Sequence, residues 1–257
     1  MIRRRPTAWV LAAAALLLAA CGDRSDNNFQ GWIEADLVFV SADDAGRIET
    51  LSVREGDSVA LRALLFALDD ELQKADVAVQ EVALQNAEQD FKRAQQLLKS
   101  SAGTQKAYED AEGAVRTAQA RLNSAQTRLA RRRVFSTVAG SVEQVYYRAG
   151  EIVPAGRPVL ALLPPDNVKV RFFIGEPMLP RLKLGDAVTI SCDGCAGDLT
   201  AKVSFIARSA EFTPPVIYSQ EERSKLVFLI EARPDTPERL RVGQPVSVTL
   251  PARDGAQ

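Results

Sequence analysis

Apolar and polar positions alternate in two stretches of the chain that match each other at an offset of 94 residues. The first is centred on Gly56-Asp57 and the second on Gly150-Glu151. The matched positions are Gly46, Ile48, Leu51, Val53, Val59, Leu65, Phe66 and Leu68 with Gly140, Val142, Val145, Tyr147, Val153, Val159, Leu160 and Leu162. Alternation around a Gly-acid pair predicts a strand, a tight turn and a strand in each copy. A small β-module is therefore divided into two half-motifs, at 40–69 and 134–163.

Between the half-motifs the apolar period changes to about 3.5 residues, which predicts two heptad helices. The first seam has one polar break, Gln80, and the second has none. The seam residues are Val77, Leu84, Ala87, Phe91, Ala94 and Leu98, then Tyr108, Ala111, Val115, Ala118, Leu122, Ala125 and Leu129. A connection at 101–104 makes the helices an antiparallel coiled-coil hairpin over 70–133. Its thin, Ala-rich seam buries little area, so we expect the hairpin also to pack against neighbours in an oligomer.

The chain after Pro164-Pro165 is rich in predicted strands. They cover 168–174, 187–192, 199–207, 226–233 and 246–250, with a short helical segment near 176–182 and a long polar loop at 211–225. Five or six short strands with Gly and Pro turns predict a small β-barrel domain at 164–250, followed by a tail at 251–257. The predicted fold class is mainly β, with an inserted α-helical coiled-coil hairpin.

The first twenty residues have the pattern of a signal peptide. A basic start is followed by an apolar run over 9–18 and then by Leu18-Ala19-Ala20-Cys21. This resembles a bacterial lipobox, which implies cleavage before Cys21 and a lipid on that residue, with a tether at 21–39. The alternative, an uncleaved transmembrane anchor, needs 18 or more apolar residues and the run is shorter. The pattern thus predicts a lipid-anchored periplasmic protein, with the inner membrane as the favoured membrane.

Composition narrows the classes of function. The chain has 257 residues and a net charge of −1; removing the three Arg of residues 1–20 leaves 29 basic against 33 acidic residues, or −4. No basic surplus is available to neutralise phosphates, which argues against nucleic-acid binding. Histidine is absent, so the commonest general base and metal ligand are missing. We therefore predict a protein that is not an enzyme and has no cofactor or metal.

Cys192 and Cys195 form a separate candidate site. They flank Asp193-Gly194, and Asp-Gly favours a two-residue hairpin turn that would place the cysteines across its first rung. A disulfide is the preferred interpretation in an oxidising compartment. A redox pair would need a following helix, and a metal site would need a second ligand pair. A periplasmic metal-binding lipoprotein nevertheless stays open as a second class of function.

The whole order of parts resembles the periplasmic adaptor, or membrane fusion protein, family of HlyD type. The half-motifs are similar to those of lipoyl and biotinyl carriers, which implies a split lipoyl-like domain, the barrel-sandwich hybrid. In those carriers the modified lysine stands in the turn between the halves. Here the turn holds Asp69-Asp70, and the nearest lysine, Lys74, lies within the predicted helix. A swinging-arm carrier is thereby excluded, and the module is left with a structural role.

The hairpin tip resembles adaptors that dock on TolC-like outer-membrane channels. Arg93 and Leu97 have the family spacing, and Thr104 replaces a serine with another hydroxyl. The resemblance implies that all three contact the channel. Each also has an ordinary alternative: a solvated helix position for Arg93, seam packing for Leu97 and a helix N-cap for Thr104.

A third resemblance concerns the transporter. The segments 210–215 and 221–227 resemble adaptors of ABC exporters, and the expectation that no large domain follows the barrel agrees with this. The resemblance implies an adaptor that links an inner-membrane ABC transporter to a TolC-like channel, assembled as a ring that we expect to be hexameric. An adaptor of an RND or MFS pump is the alternative, because the hairpin is shorter than in many ABC-linked adaptors.

Overall fold

The computed structural model describes residues 27–195, 197–212 and 226–251. The chain divides into two compact units, 35–167 and the part formed by residues up to 34 with 168 onward. The predicted signal peptide and Cys21 lie outside the described residues. Within the described residues, no helix combines the length and hydropathy that crossing a membrane requires.

Unit 35–167 contains a β-module built from both half-motifs. Its strands are β2 (Val38–Ser41), β3 (Gly46–Leu51), β4 (Ser58–Val59), β5 (Leu64–Leu68), β6 (Arg133–Phe135), β7 (Gly140–Val145), β8 (Ile152–Val153) and β9 (Pro158–Leu163). β1 (Asn28–Ala35) precedes them. Two four-stranded sheets form, in the orders β2-β9-β7-β4 and β6-β5-β3-β8. Each sheet takes two strands from each half-motif, so neither half can complete its sheet alone.

The two half-motifs also exchange equivalent hydrogen bonds. The Ile48 N–H donates to the Glu151 carbonyl, and the Gly150 N–H donates to the Ile48 carbonyl, both at 2.8 Å. At the matching positions of the other half, the Val142 N–H donates to the Asp57 carbonyl, and the Gly56 N–H donates to the Val142 carbonyl, both also at 2.8 Å. The turn of each half is thus fastened to a strand of the other. The sequence repeat is therefore a repeat of hydrogen bonding as well as of hydrophobicity.

The core of the β-module is closed to solvent. Ile48, Leu65, Phe66, Leu160 and Leu162 are each 0% exposed. They come from both half-motifs at the matched positions. Leu65 and Phe66 are adjacent and point to opposite faces, so both faces of β5 are covered there. Burial of such side chains contributes about 1.5–3 kcal/mol each relative to exposure.

The hairpin consists of α1 (Glu71–Lys99) and α2 (Gln105–Ala130). At 29 residues, α1 is about 43 Å long. The predicted seam positions are the inward ones, yet α1 has no fully buried residue, and α2 has only Ala118, Leu122 and Ala125. Asp76 pairs with Arg128 at 2.6 Å, and the rings of Phe91 and Tyr108 lie 5.1 Å apart. These two contacts fix which residues of the helices face each other.

The other unit is a β-barrel. Its further strands are β10 (Val168–Gly175), β11 (Ala187–Ser191), β12 (Leu199–Ile206), β13 (Glu211–Phe212), β14 (Leu226–Pro234) and β15 (Pro245–Thr249). The order β10-β1-β15-β11-β12-β14 closes through pairing of β10 with β14, and β13 is added on β14. A 3-10 helix at Glu176–Arg181 occupies the place of the predicted short helical segment.

The barrel includes a strand that the sequence pattern did not assign to it. β1 begins at Asn28, inside the segment predicted as a tether at 21–39, and pairs with β15 from Asn28 opposite Thr249 to Trp32 opposite Pro245. Its Gly31 is required by the approach of β10, because a Cβ there would lie 2.6 Å from the Arg171 carbonyl oxygen. The barrel therefore combines residues from both sides of the β-module in sequence.

Candidate functional site

The base of the hairpin holds the two aspartates that occupy the place of the carrier lysine. Asp69 accepts a hydrogen bond from the Arg47 guanidinium at 2.7 Å and from the Glu71 N–H at 3.3 Å. Asp70 is 8% exposed and pairs with Lys74 at 2.7 Å. Arg132 donates to the Ala45 carbonyl at 3.0 Å from the other side of the base. Both helix ends are thus tied to the β-module, and the turn offers no modifiable amine.

The electrostatics of the base follow from these partners. The Arg47 guanidinium beside Asp69 lowers the pKa of that carboxyl, and Arg128 does the same for the pKa of Asp76. The Asp70 carboxylate raises the pKa of Lys74. The basic partners Arg47, Lys74 and Arg128 are largely exposed, so solvent screens the pairs and each contributes little to stability. Their number and position make them an orienting contact for the hairpin.

The hairpin tip is closed by a Schellman motif at the end of α1. The Ala102 N–H donates to the Leu97 carbonyl at 2.9 Å, and the Ser101 N–H donates to the Leu98 carbonyl at 3.0 Å. Ser101 has a φ of +59°, so a serine takes the left-handed position that glycine usually occupies. The nearest glycine, Gly103, lies two residues after that position. Gly103 is needed for space instead: a Cβ there would lie 3.0 Å from the Leu97 Cβ and 3.1 Å from the Leu98 nitrogen.

The three residues predicted at the tip have different surroundings. Arg93 is exposed and pairs with Asp90, one turn earlier on α1. Leu97 is 51% exposed, because the neighbouring Leu98 takes the inward seam position. The Thr104 hydroxyl accepts a hydrogen bond from the Ala107 N–H at 3.2 Å and is the N-cap of α2. The tip thus offers a guanidinium and a half-exposed leucine to a partner, while Thr104 has a capping role. Their contact with a channel stays a prediction.

Two tip residues escaped the sequence analysis, for different reasons. Asp90 stands three residues before Arg93, a spacing that allows an ion pair on any helix, and it could have been found. The left-handed conformation of Ser101 could not have been found from the sequence, because serine rarely adopts it.

Cys192 and Cys195 form a disulfide in the structure, with Cα atoms 5.3 Å apart. The expected two-residue hairpin is wrong in its placement. The last paired residues of β11 and β12 are Ile190 and Leu199, so the cysteines lie in a longer loop and not across the first rung. The Cys195 N–H donates to the Cys192 carbonyl at 3.1 Å, and Gly194 has a φ of +83°. A local turn therefore brings the sulfur atoms together inside the loop.

The metal-binding alternative receives no support from the part of the chain that the structure describes. There, no three side chains of His, Cys, Asp or Glu converge in a way that could hold a metal ion. The Cys192–Cys195 pair would supply two ligands, and structural zinc sites use four.

Residues 61–144 match the family model of the EmrA α-helical hairpin domain. A UPF0194 membrane protein of Acidithiobacillus ferridurans is 35% identical over 133 residues, which cover 49% of this chain and 39% of that protein. The matched stretch is thus less than half the length of that curated relative.

Solved structures extend the similarity to most of the chain. The membrane fusion protein Spr0693 of Streptococcus pneumoniae has a TM-score of 0.69 and 20% identity, covering 88% of this chain and 99% of that one. A MacA-MexA chimera that carries the α-hairpin domain of Pseudomonas aeruginosa MexA has the same TM-score and identity, covering 87% of this chain and 79% of that one. These similarities confirm the predicted fold class. The chain therefore has the fold of the membrane fusion, or periplasmic adaptor, proteins, and its inserted helices are similar to the EmrA α-helical hairpin domain.

Proposed function

We propose that this protein is the lipid-anchored periplasmic adaptor of a tripartite efflux or secretion system. Cys21 carries the lipid in the inner membrane, the chain assembles as a hexameric ring, and the hairpins point toward a TolC-like outer-membrane channel. The partner in the inner membrane is an ABC transporter. The transporter performs the energy-consuming step, and the adaptor itself catalyses nothing.

The observation that carries the proposal is the contrast between the base and the tip of the hairpin. At the base, Asp69 and Asp70 replace the carrier lysine and tie the helices to the β-module. At the tip, about 35–40 Å away by helix rise, Arg93 and Leu97 remain exposed. Arginine beside an apolar side chain is a common energetic centre of protein interfaces. A rigid spacer with an exposed end is the geometry of a docking element.

The tip is tested by reversing the charge of Arg93. Arg93→Asp is expected to abolish export while leaving the unfolding midpoint unchanged, because exposed helix positions tolerate substitution. Lys92→Asp is the matched control, since it makes the same charge change on the adjacent exposed residue. Normal export by Arg93→Asp, or equal loss in both variants, would return Arg93 to the role of a solvated helix residue.

The anchor is tested at Cys21. Cys21→Ser is expected to leave the precursor unprocessed or to release the chain from the membrane. Mass spectrometry of the N-terminal peptide and fractionation of the cell envelope measure the two outcomes. A variant that is still lipidated and membrane-bound would contradict the assignment.

The class of transporter is tested by its genetic neighbours and by crosslinking. Genes for an ATPase and a permease beside this one, and capture of that permease by the full chain, are the expected results. Capture of an RND or MFS pump instead would support the alternative adaptor assignment, because a pump with a tall periplasmic part compensates for a short hairpin.

A further inference from the structure

The helix α1 carries a second apolar stripe that its partner helix does not cover. Leu72, Val79 and Val82 are 81%, 63% and 56% exposed, and Ala75 on the same stripe is also exposed. Their spacing alternates three and four residues, as the seam does, but they occupy the face of α1 that points away from α2. Outward positions of a two-stranded coiled coil are normally polar. The stripe is therefore an apolar edge of the hairpin without a partner inside the chain.

The outer edge of α2 has a complementary character at the same level. Thr117, Ala120, Ser124 and Thr127 also alternate three and four residues, and all are exposed. The Thr117 hydroxyl donates to the Gly113 carbonyl at 2.9 Å, and the Thr127 hydroxyl donates to the Asn123 carbonyl at 2.8 Å. Because these donors are satisfied within their own helix, covering the edge leaves few unpaired polar groups. Small side chains also allow another helix to approach closely.

The antiparallel register places the two edges at matching distances from the hairpin base. Counting from the pair Asp76–Arg128, Leu72–Val82 are level with residues 132–122. Counting from the pair Phe91–Tyr108, they are level with residues 127–117. The second count places the apolar stripe of α1 beside the whole small edge of α2. The first count is shifted by five residues toward the base and still overlaps the edge at Ser124 and Thr127. Toward the tip both edges become polar, with Asn86 and Arg93 on α1 and Lys106 and Asp110 on α2.

We propose that the α1 edge of one copy packs against the α2 edge of the next copy. This inference rests on the ring of the proposed function and specifies its contact between hairpins. A contact between two different surfaces of the same chain is heterologous, and it closes into a ring when the rotation allows. Rotation about an axis along the hairpins keeps every residue at its own level, which is why the matched levels point to a second copy of this chain. Apolar residues then meet small ones, and polar residues meet polar ones.

The contact is tested by one cysteine on each edge. In Val79→Cys with Ser124→Cys, the two sites lie on opposite edges of one hairpin, about 13 Å apart between Cα atoms, beyond the reach of a disulfide. Mild oxidation of the full chain in envelope membranes is therefore expected to give a ladder of linked copies. The matched control, Val79→Cys with Lys106→Cys, uses the same edges about 21–28 Å out of level by the two counts and should give monomers. Monomers from the first pair, or ladders from both, would overturn the proposal.

A charge on the stripe gives an independent measurement. Val79→Glu is expected to shift the full chain from assembled to single copies in sedimentation, with an unchanged unfolding midpoint because the site is exposed. Ala78→Glu places the same charge on the adjacent exposed residue, off the stripe, and should assemble normally. If the unsubstituted chain never assembles, the ring itself is wrong. If the unsubstituted chain assembles and Val79→Glu assembles equally well, the ring survives and this edge contact is wrong.

Discussion

The β-module and the hairpin are continuous in sequence, yet they hold their shapes in different ways. In the module, Ile48, Leu65, Phe66 and Leu160 are completely buried and come from both halves. In the hairpin, α1 has no fully buried residue, although the heptad seam is present along its length. The module therefore has a core of its own, whereas the hairpin has only a line of contact.

The difference indicates where stability and function are located. A closed core tolerates little change, because each lost methylene leaves a cavity. A thin coiled coil leaves most of its surface free, and its ion pairs Asp69–Arg47 and Asp76–Arg128 orient it more than they stabilise it. The hairpin is thus the part of the molecule that can evolve contacts with partners without unfolding the module.

The largest expected effect separates the two regions by a matched truncation. Phe66→Ala should cost about 3–5 kcal/mol of the free energy of unfolding, because its ring is fully buried. Phe91→Ala in the seam should cost about 1–2 kcal/mol, since that ring is only half-buried against Tyr108. Hydrogen exchange of the slowest amides of β9 and α2 measures each cost. Equal losses of unfolding free energy at Phe66 and Phe91 would contradict the difference between the core of the module and the line of contact in the hairpin.

The next effect concerns the start of α2. Thr104→Ala should destabilise the first turn of α2 by about 1 kcal/mol, because the Ala107 N–H loses its acceptor. Thr104→Ser should restore most of the loss. The amide exchange rate of Ala107 is the measurement. A loss of export in Thr104→Ser with the cap intact would show a contact role for the threonine beyond capping.

A smaller effect of opposite sign is expected one turn away. Ser101→Gly should stabilise the tip by about 0.5–1 kcal/mol, because glycine adopts the left-handed conformation of this position without steric cost. Exchange of the Ala102 amide should slow. Faster exchange would mean that the serine side chain contributes more than its backbone strain costs.

The smallest effect is a pH dependence confined to the hairpin base. The pKa values of Asp69 and Asp76 are lowered in the folded protein, so their contribution is present above the ordinary value of 3.8 and is lost as pH falls through the lower folded pKa. The unfolding midpoint should therefore drop less steeply below about pH 4 in Asp76→Asn than in the unsubstituted chain. An identical drop of the unfolding midpoint with pH in both proteins would show that the Asp76–Arg128 ion pair does not contribute to stability.

Sequence reasoning succeeded where the determining contacts are local or repeated. The heptads located both helices. The offset of 94 residues matched β3 with β7, which begin at Gly46 and Gly140, and also matched β4 with β8. It missed two further turns that resemble those of the half-motifs. In the barrel, the Lys183 N–H donates to the Asp186 carboxylate and the Arg241 N–H donates to the Gln244 side chain, as Arg54 does with Asp57. The flanking apolar positions correspond as well, because Val53 and Val59 of the half-motif match Leu182 and Val188, and also Leu240 and Val246. The likeness of these turns was therefore present in the sequence.

The sequence by itself determined the hairpin, its seam and the paired half-motifs, since periodicity decides which face of an element is apolar. Only the tertiary structure decided that β1 enters the barrel, because the pairing of Asn28 with Thr249 joins residues more than two hundred positions apart. It also decided that the outer stripe of α1 stays uncovered. A pattern records that Leu72 and Val79 are apolar, but their exposure depends on which surface lies opposite them. Local sequence sets the faces of the elements, and long-range packing decides which of those faces meet.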